Sequence, residues 1–141
     1  MAQIAAEFQD KRRIVFTSRE RSFVNVREMR DDGPIGFSSG ELLLMALGNC
    51  SLGTLLNHEL FEDISPSKVT ATLESTSETN PSRMSAINID IELEVDEETL
   101  QGREETLERI ADNCPIGNTL RFTPEIAVTV KLNSRETTPV S

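Results

Sequence analysis

One histidine and two cysteines are all that this 141-residue chain offers for soft-metal chemistry. His58, Cys50 and Cys114 make no recognisable zinc spacing, and two cysteines do not make a disulfide scaffold. Positive charge is scarce too. Lysine and arginine total 14 against 24 aspartates and glutamates, a formal net charge of −10. That balance disfavours nucleic acid or an anionic membrane as partner. Long apolar runs are missing: the longest, LLLMAL at residues 42–47, is far too short to span a bilayer. The opening MAQIAAEFQDKRR has no basic start followed by an apolar segment, so it does not read as a secretory signal. A cytoplasmic setting is the expectation. There, a cysteine pair is more often catalytic or redox-active than structural. No metal or cofactor is expected.

What is present suffices for one core. Hydrophobic residues make up 37% of the chain, in well-separated runs. A single domain over residues 1–141 is expected, with 134–141 as a flexible tail. Within residues 4–28, RRIVFTS and SFVNVRE alternate like strands about the polar turn Arg19-Glu20-Arg21. A short strand near residues 5–8 can precede this hairpin. RDDGPIG at 30–36 reads as a loop.

A helix follows. Ser38 or Ser39 can cap it, and Glu41 lies in its first turn, where negative charge suits the helix dipole. LLLMAL leaves it no polar face, so the helix should be buried on every side, in the domain or in a dimer interface. It is expected to run through Cys50 to about residue 59. SKVTATLES and MSAINIDIELEV then alternate with period two about the turn NPSR. A second helix is expected over about 97–112, ending before Pro115. A last strand, EIAVTVKLN, follows Pro124. The class is α+β, with antiparallel strands, two helices and no βαβ alternation.

Chemistry concentrates on the cysteines. Cys50 lies about three turns inside an apolar helix, where a free cysteine often packs as a small hydrophobe. Gly48, Ser51 and Gly53 around it are small and let a backbone or ligand come close. Cys114 precedes Pro115, which can open a new helical turn. Its thiol would then sit at a helix N-terminus, a place that stabilises a thiolate; the simpler reading is a turn residue facing the core. His58, two turns past Cys50, is a candidate base, or a helix-end residue meeting the dipole. Asn118 is placed to fix the turn that carries Cys114. The acidic runs DEE and REE read as solvated helix surface.

GELLLMALGNCS at 40–51 together with NCPIGNTL at 113–120 resembles the OsmC/Ohr family of thiol peroxidases. The spacing from Glu41 to Cys50 and the order Cys114, Pro115, Ile116, Asn118, Thr119, Leu120 carry the resemblance, which extends over nearly the whole chain. It implies an OsmC-like α+β fold with a buried central cysteine helix, in an intertwined homodimer. It implies that Cys50 attacks the O–O bond of a hydroperoxide and becomes a sulfenic acid, which Cys114 condenses to a disulfide. An external dithiol, a protein-bound lipoyl group in the best-studied relatives, then reduces that disulfide. A nonpolar pocket would favour organic hydroperoxides. The resemblance also implies an arginine, held by a glutamate, that favours the anionic sulfur. Glu41 matches the glutamate, and Arg19 is the preferred arginine over Arg21. Nine residues on an ideal helix are about half a turn out of phase, so Glu41 and Cys50 cannot share one helix face; a dimer whose sites draw on both chains removes the conflict. The alternatives are a non-enzymatic OsmC-like dimer that binds a small apolar or lipid ligand, and a structural dimer with two core cysteines.

Overall fold

The computed structural model describes residues 2–10, 12–27, 29–30, 33–34, 36–96 and 98–133. The alternating N-terminal runs form an antiparallel three-stranded sheet: β1 (Ala5–Asp10), β2 (Arg13–Ser18) and β3 (Arg21–Val26), in that order. Arg19 and Glu20 join β2 to β3 with φ of 54° and 83°. Two consecutive left-handed residues are what a two-residue hairpin demands, because their twist matches that of the strands. Phe16 pairs with Phe23 across the ladder, ring centroids 6.2 Å apart. Within 30–36, where a loop is expected, two short strands pair: β4 (Met29–Arg30) and β5 (Gly33–Pro34).

Asn25 interrupts the apolar alternation of β3, yet it is 3% exposed. Its side-chain amide donates to the Phe37 carbonyl at 2.9 Å, and its Oδ1 accepts from the Phe37 N–H at 2.9 Å. A buried amide satisfied on both sides fixes its partner firmly. Gly36, just before, could not carry a side chain: a Cβ there would lie 2.2 Å from the Val26 carbonyl oxygen. Together they lay the lead-in to the next helix against β3.

That helix, α1, spans Ser39–Leu56, three residues short of the expected end. Ser38 caps it. Its hydroxyl accepts the Glu41 N–H at 3.1 Å, and Glu41 Oε1 accepts the Ser38 N–H at 2.8 Å, a reciprocal capping box. By length and composition alone α1 could cross a membrane; here it packs on α2 (Glu104–Asp112), α3 (Pro115–Arg121) and β6 (Lys68–Glu78). Burial on every side is not reached within one chain. Leu47 and Gly48 are buried, but Leu43 and Met45 stay exposed.

β6 and β7 (Arg83–Glu94) form the expected long hairpin. Val69 faces Leu93, Ala71 faces Ile91 and Leu73 faces Ile89, all turned inward. Gly48 receives this face, since a Cβ there would meet Leu73 Cδ1 at 3.0 Å. The core gathers Leu55, Phe61, Leu100 and Ala111, with Ile91, Leu93, Leu107 and Ile110 around them.

Three expectations change. The second helix does not run unbroken over 97–112: a 3-10 turn at Glu98–Leu100 gives way at Gly102, φ 77°, before α2 begins. Glycine makes that left-handed step at little cost. A third α-helix, α3, follows Cys114. The last strand finds no sheet partner among the described residues: residues 123–131 lie outside regular structure, with a single bridge residue at Leu132. Ile126, Val128, Val130 and Leu132 stand exposed. The expected tail at 134–141 lies outside the described residues.

Candidate active site

Cys114 and Pro115 do what their sequence suggests locally. Pro115 occupies the first position of α3 and Cys114 is its N-cap, with extended backbone. Cys114 Sγ accepts the Gly117 N–H at 3.2 Å. Gly117 must be small, because a Cβ there would lie 3.2 Å from that sulfur. Asn118 Nδ2 donates to Asn113 Oδ1 at 3.2 Å, bracing the turn from the other side. Arg121 donates to the Asp112 carbonyl and pairs with its carboxylate, tying the end of α3 to the end of α2.

Cys50 arrives from α1. Its Sγ accepts the Ile116 N–H at 3.5 Å, and it lies near enough to Cys114 to bear on that thiol. Both cysteines are free; Cys50 is half-buried and Cys114 is 1% exposed. Ser51 holds this meeting in register. It is 2% exposed, and its hydroxyl donates to the Ala111 carbonyl at 3.0 Å. It thereby links the residue after Cys50 to a backbone carbonyl three residues before Cys114.

The expected thiolate at Cys114 is not favoured. Burial pushes this thiol up from its ordinary value, and the neighbouring Cys50 adds to the rise; the Gly117 N–H pulls the other way and loses. Cys114 is thus held neutral. A neutral thiol in the fold sets a sign for alkaline stability. The unfolded chain gives up this proton first, so the stability is fully present below the ordinary thiol value and is lost as pH rises through the raised folded value. Melting temperature should fall from pH 8 to pH 10.5 more steeply in the wild type than in Cys114→Ser. Parallel slopes would show that Cys114 carries no such linkage.

The other candidates sit elsewhere. Glu41 is engaged in capping α1, nine residues or about 13.5 Å along the axis from Cys50. Arg19 stands at the exposed tip of the β2–β3 turn, and Arg21 opens β3. Neither arginine makes an ion pair among the described residues. One chain therefore brings Cys50 and Cys114 together and leaves Glu41 and Arg19 apart from them. His58 lies past the end of α1 and caps the start of the 3-10 turn Glu59–Phe61, its Nδ1 accepting the Leu60 N–H at 3.1 Å, rather than meeting the dipole at the end of α1. Among the described residues no group of three or more His, Cys, Asp or Glu is placed to hold a metal. Gly53, grouped with Gly48 by sequence, faces open space.

Sequence reasoning missed Asn25 and the structural role of Ser51. The signal for Asn25 was a lone amide inside an apolar alternation. For Ser51 it was a single hydroxyl in an apolar helix, directly after the cysteine. A groove of about 1780 Å³ runs beside Cys114, bounded by Leu43 and Leu47 of α1, Ile89 of β7, and α2 and α3.

A family profile described as OsmC-like protein matches residues 30–130, both cysteines included. The chain belongs to the OsmC-like family. Solved structures agree on the fold. An OsmC-like protein from Mycoplasma pneumoniae superposes with a TM-score of 0.70 at 21% identity, covering 87% of this chain and 89% of that one. A Psychrobacter arcticus 273-4 protein, named for osmotic stress induction and detoxification response, gives 0.67 at 18% identity over 84% and 88%. A hypothetical protein from Aquifex aeolicus VF5 gives 0.65 at 14% over 87% and 89%. No curated protein matches. The antiparallel α+β architecture with its cysteine helix is thus the OsmC-like fold.

Proposed function

We propose that this OsmC-like chain is a thiol-dependent peroxidase that reduces organic hydroperoxides in the cytoplasm. One observation carries the reading. Two free thiols, 64 residues apart in sequence, meet at the junction of α1 and α3, each accepting a backbone N–H from the first turn of α3. The half-buried Cys50 is the sulfur a small peroxide can reach. Its thiolate takes the distal peroxide oxygen, releases the alcohol and becomes a sulfenic acid. Cys114, neutral and adjacent, then attacks that sulfur, and water leaves as the Cys50–Cys114 disulfide forms. An external dithiol, such as a lipoyl group, returns both sulfurs to thiols. The apolar residues Leu43, Leu47 and Ile89 in the groove beside Cys114 favour organic peroxides. Stopped-flow oxidation with cumene hydroperoxide and hydrogen peroxide side by side should give the organic peroxide the larger rate constant by at least tenfold. Equal slow rates for both would remove the peroxidase reading.

The active unit is proposed to be a homodimer. Leu43 and Met45 on α1, the groove beside them, and the exposed Ile126, Val128, Val130 and Leu132 offer one chain more apolar surface than it covers. A second copy supplies matching surface by symmetry. It also answers the 13.5 Å separation, since Arg19 and Glu41 can then serve a thiol of the other chain. Light scattering at micromolar concentration should give twice the chain mass. A clean monomer would remove both the dimer and the shared site.

A further inference from the structure

We infer that the Cys50–Cys114 disulfide is opened in one direction: an external dithiol attacks Cys50 Sγ and Cys114 Sγ is the sulfur that leaves. The inference rests on the disulfide of the proposed peroxidase cycle and adds which of its sulfurs meets the reductant.

Thiol–disulfide exchange needs the attacking sulfur in line with the bond it breaks. Attack at either cysteine therefore requires an open approach on the side away from the other. Cys50, on α1, is only half-buried and is the more accessible residue of the two. Cys114 is 1% exposed, although the groove runs beside it. The Gly117 main chain, the Arg121 guanidinium and the Asp112 carbonyl crowd one point beside its sulfur: a Cβ at Gly117 would lie 3.2 Å from Cys114 Sγ, 3.5 Å from Arg121 Nη1 and 3.6 Å from the Asp112 oxygen. A partner subunit can only add cover to a sulfur already crowded in this way.

Both sulfurs face an N–H of α3, and the closer contact is on Cys114, 3.2 Å against 3.5 Å on Cys50. When the bond breaks, the electron pair departs on Cys114 Sγ, which the Gly117 N–H already faces at 3.2 Å. Burial alone would make this sulfur the poorer leaving group, since a thiol that ionises reluctantly leaves slowly. The N–H offsets part of that handicap, and access decides the rest. Once expelled, Cys114 takes up a proton and stays neutral, so it re-attacks slowly. The steps balance. The first thiolate of the dithiol bonds to Cys50 Sγ as the Cys50–Cys114 bond breaks. The second thiol of the reductant, losing its proton, attacks its own sulfur in the mixed disulfide, and Cys50 leaves as thiolate. The reductant ends as a disulfide, oxidised by two electrons, and the protein regains both thiols.

The test uses the whole protein, with the disulfide formed by diamide rather than peroxide. Brief exposure to 2-mercaptoethanol, which has no second thiol for intramolecular release of the adduct, is followed by acid quench, N-ethylmaleimide labelling and peptide mapping. The adduct should sit on Cys50 at least tenfold more often than on Cys114, with the maleimide on Cys114. The same exposure in guanidinium chloride should bring the two sites close to parity, showing that the fold sets the preference. Equal labelling in the folded protein, or adduct mainly on Cys114, overturns the inference, as does failure of diamide to join the two sulfurs. Because no peroxide is used, a chain inert to hydroperoxides would still report its direction of opening, so the two readings fail separately.

Discussion

Cys50→Ser should abolish hydroperoxide consumption, and Cys114→Ser should react once and stop. In the first variant the more accessible sulfur is gone, and Cys114 is held neutral by burial, so no second nucleophile takes over. In the second, Cys50 still attacks the peroxide, but its sulfenic acid has no thiol beside it to condense with, and it drifts to sulfinic acid. Intact mass after one equivalent of cumene hydroperoxide separates the cases. The wild type should lose two hydrogens, Cys114→Ser should gain one oxygen, and Cys50→Ser should not change. Continued turnover of Cys114→Ser with a dithiol would remove the resolving role. Reaction of Cys50→Ser would reverse the two roles. Both serines are near-isosteric, and at position 114 the hydroxyl can still accept the Gly117 N–H, so loss of folding should not confuse the result.

Arg19→Ala should slow peroxide reduction tenfold or more. A guanidinium against the reacting sulfur stabilises its anion and polarises the peroxide in the transition state, and a tenfold change corresponds to about 1.4 kcal/mol of barrier. Arg19 is suited to that task by its place. It stands at the tip of a tight hairpin, exposed, its backbone fixed by the turn. Arg19→Lys should recover part of the rate, since lysine keeps the charge but not the planar fork that can hold a carboxylate and a peroxide together. Arg21→Ala, two residues on and inside β3, should be nearly silent. The melting temperatures of all three should match the wild type, because Arg19 makes no ion pair among the described residues. If Arg19→Ala is as fast as the wild type, the charge that serves Cys50 comes from another residue.

The parts of the fold legible in the sequence were those governed by local rules. Period-two alternation marked β2, β3, β6 and β7, and a capping serine, Ser38 or Ser39, with Glu41 in the first turn marked the start of α1. Pro115 marked the start of α3, although its length was not foreseen. The two cysteines could be paired only through the joint resemblance of their motifs, because nothing local says that residues 50 and 114 meet. Failures came where long-range contact decides. Asn25 went unread because its partner, Phe37, lies twelve residues away. The final apolar alternation is real, but a strand is made by its neighbour, and residues 123–131 find none among the described residues. The break at Gly102 was hidden because the acidic and apolar spacing on either side remained helical.

The capping box at the head of α1 has a further consequence. A carboxylate has two oxygens. Glu41 spends Oε1 on the Ser38 N–H, and Oε2 forms no hydrogen bond among the described residues. A guanidinium that docks on Glu41 would share a side chain with the helix start, so its arrival or departure would be felt as tension in the first turn. Ser38 is in turn the neighbour of Phe37, which Asn25 fastens to the strand leading back to the Arg19 turn. Hairpin and helix head are thereby joined end to end through the side chains of Asn25, Ser38 and Glu41.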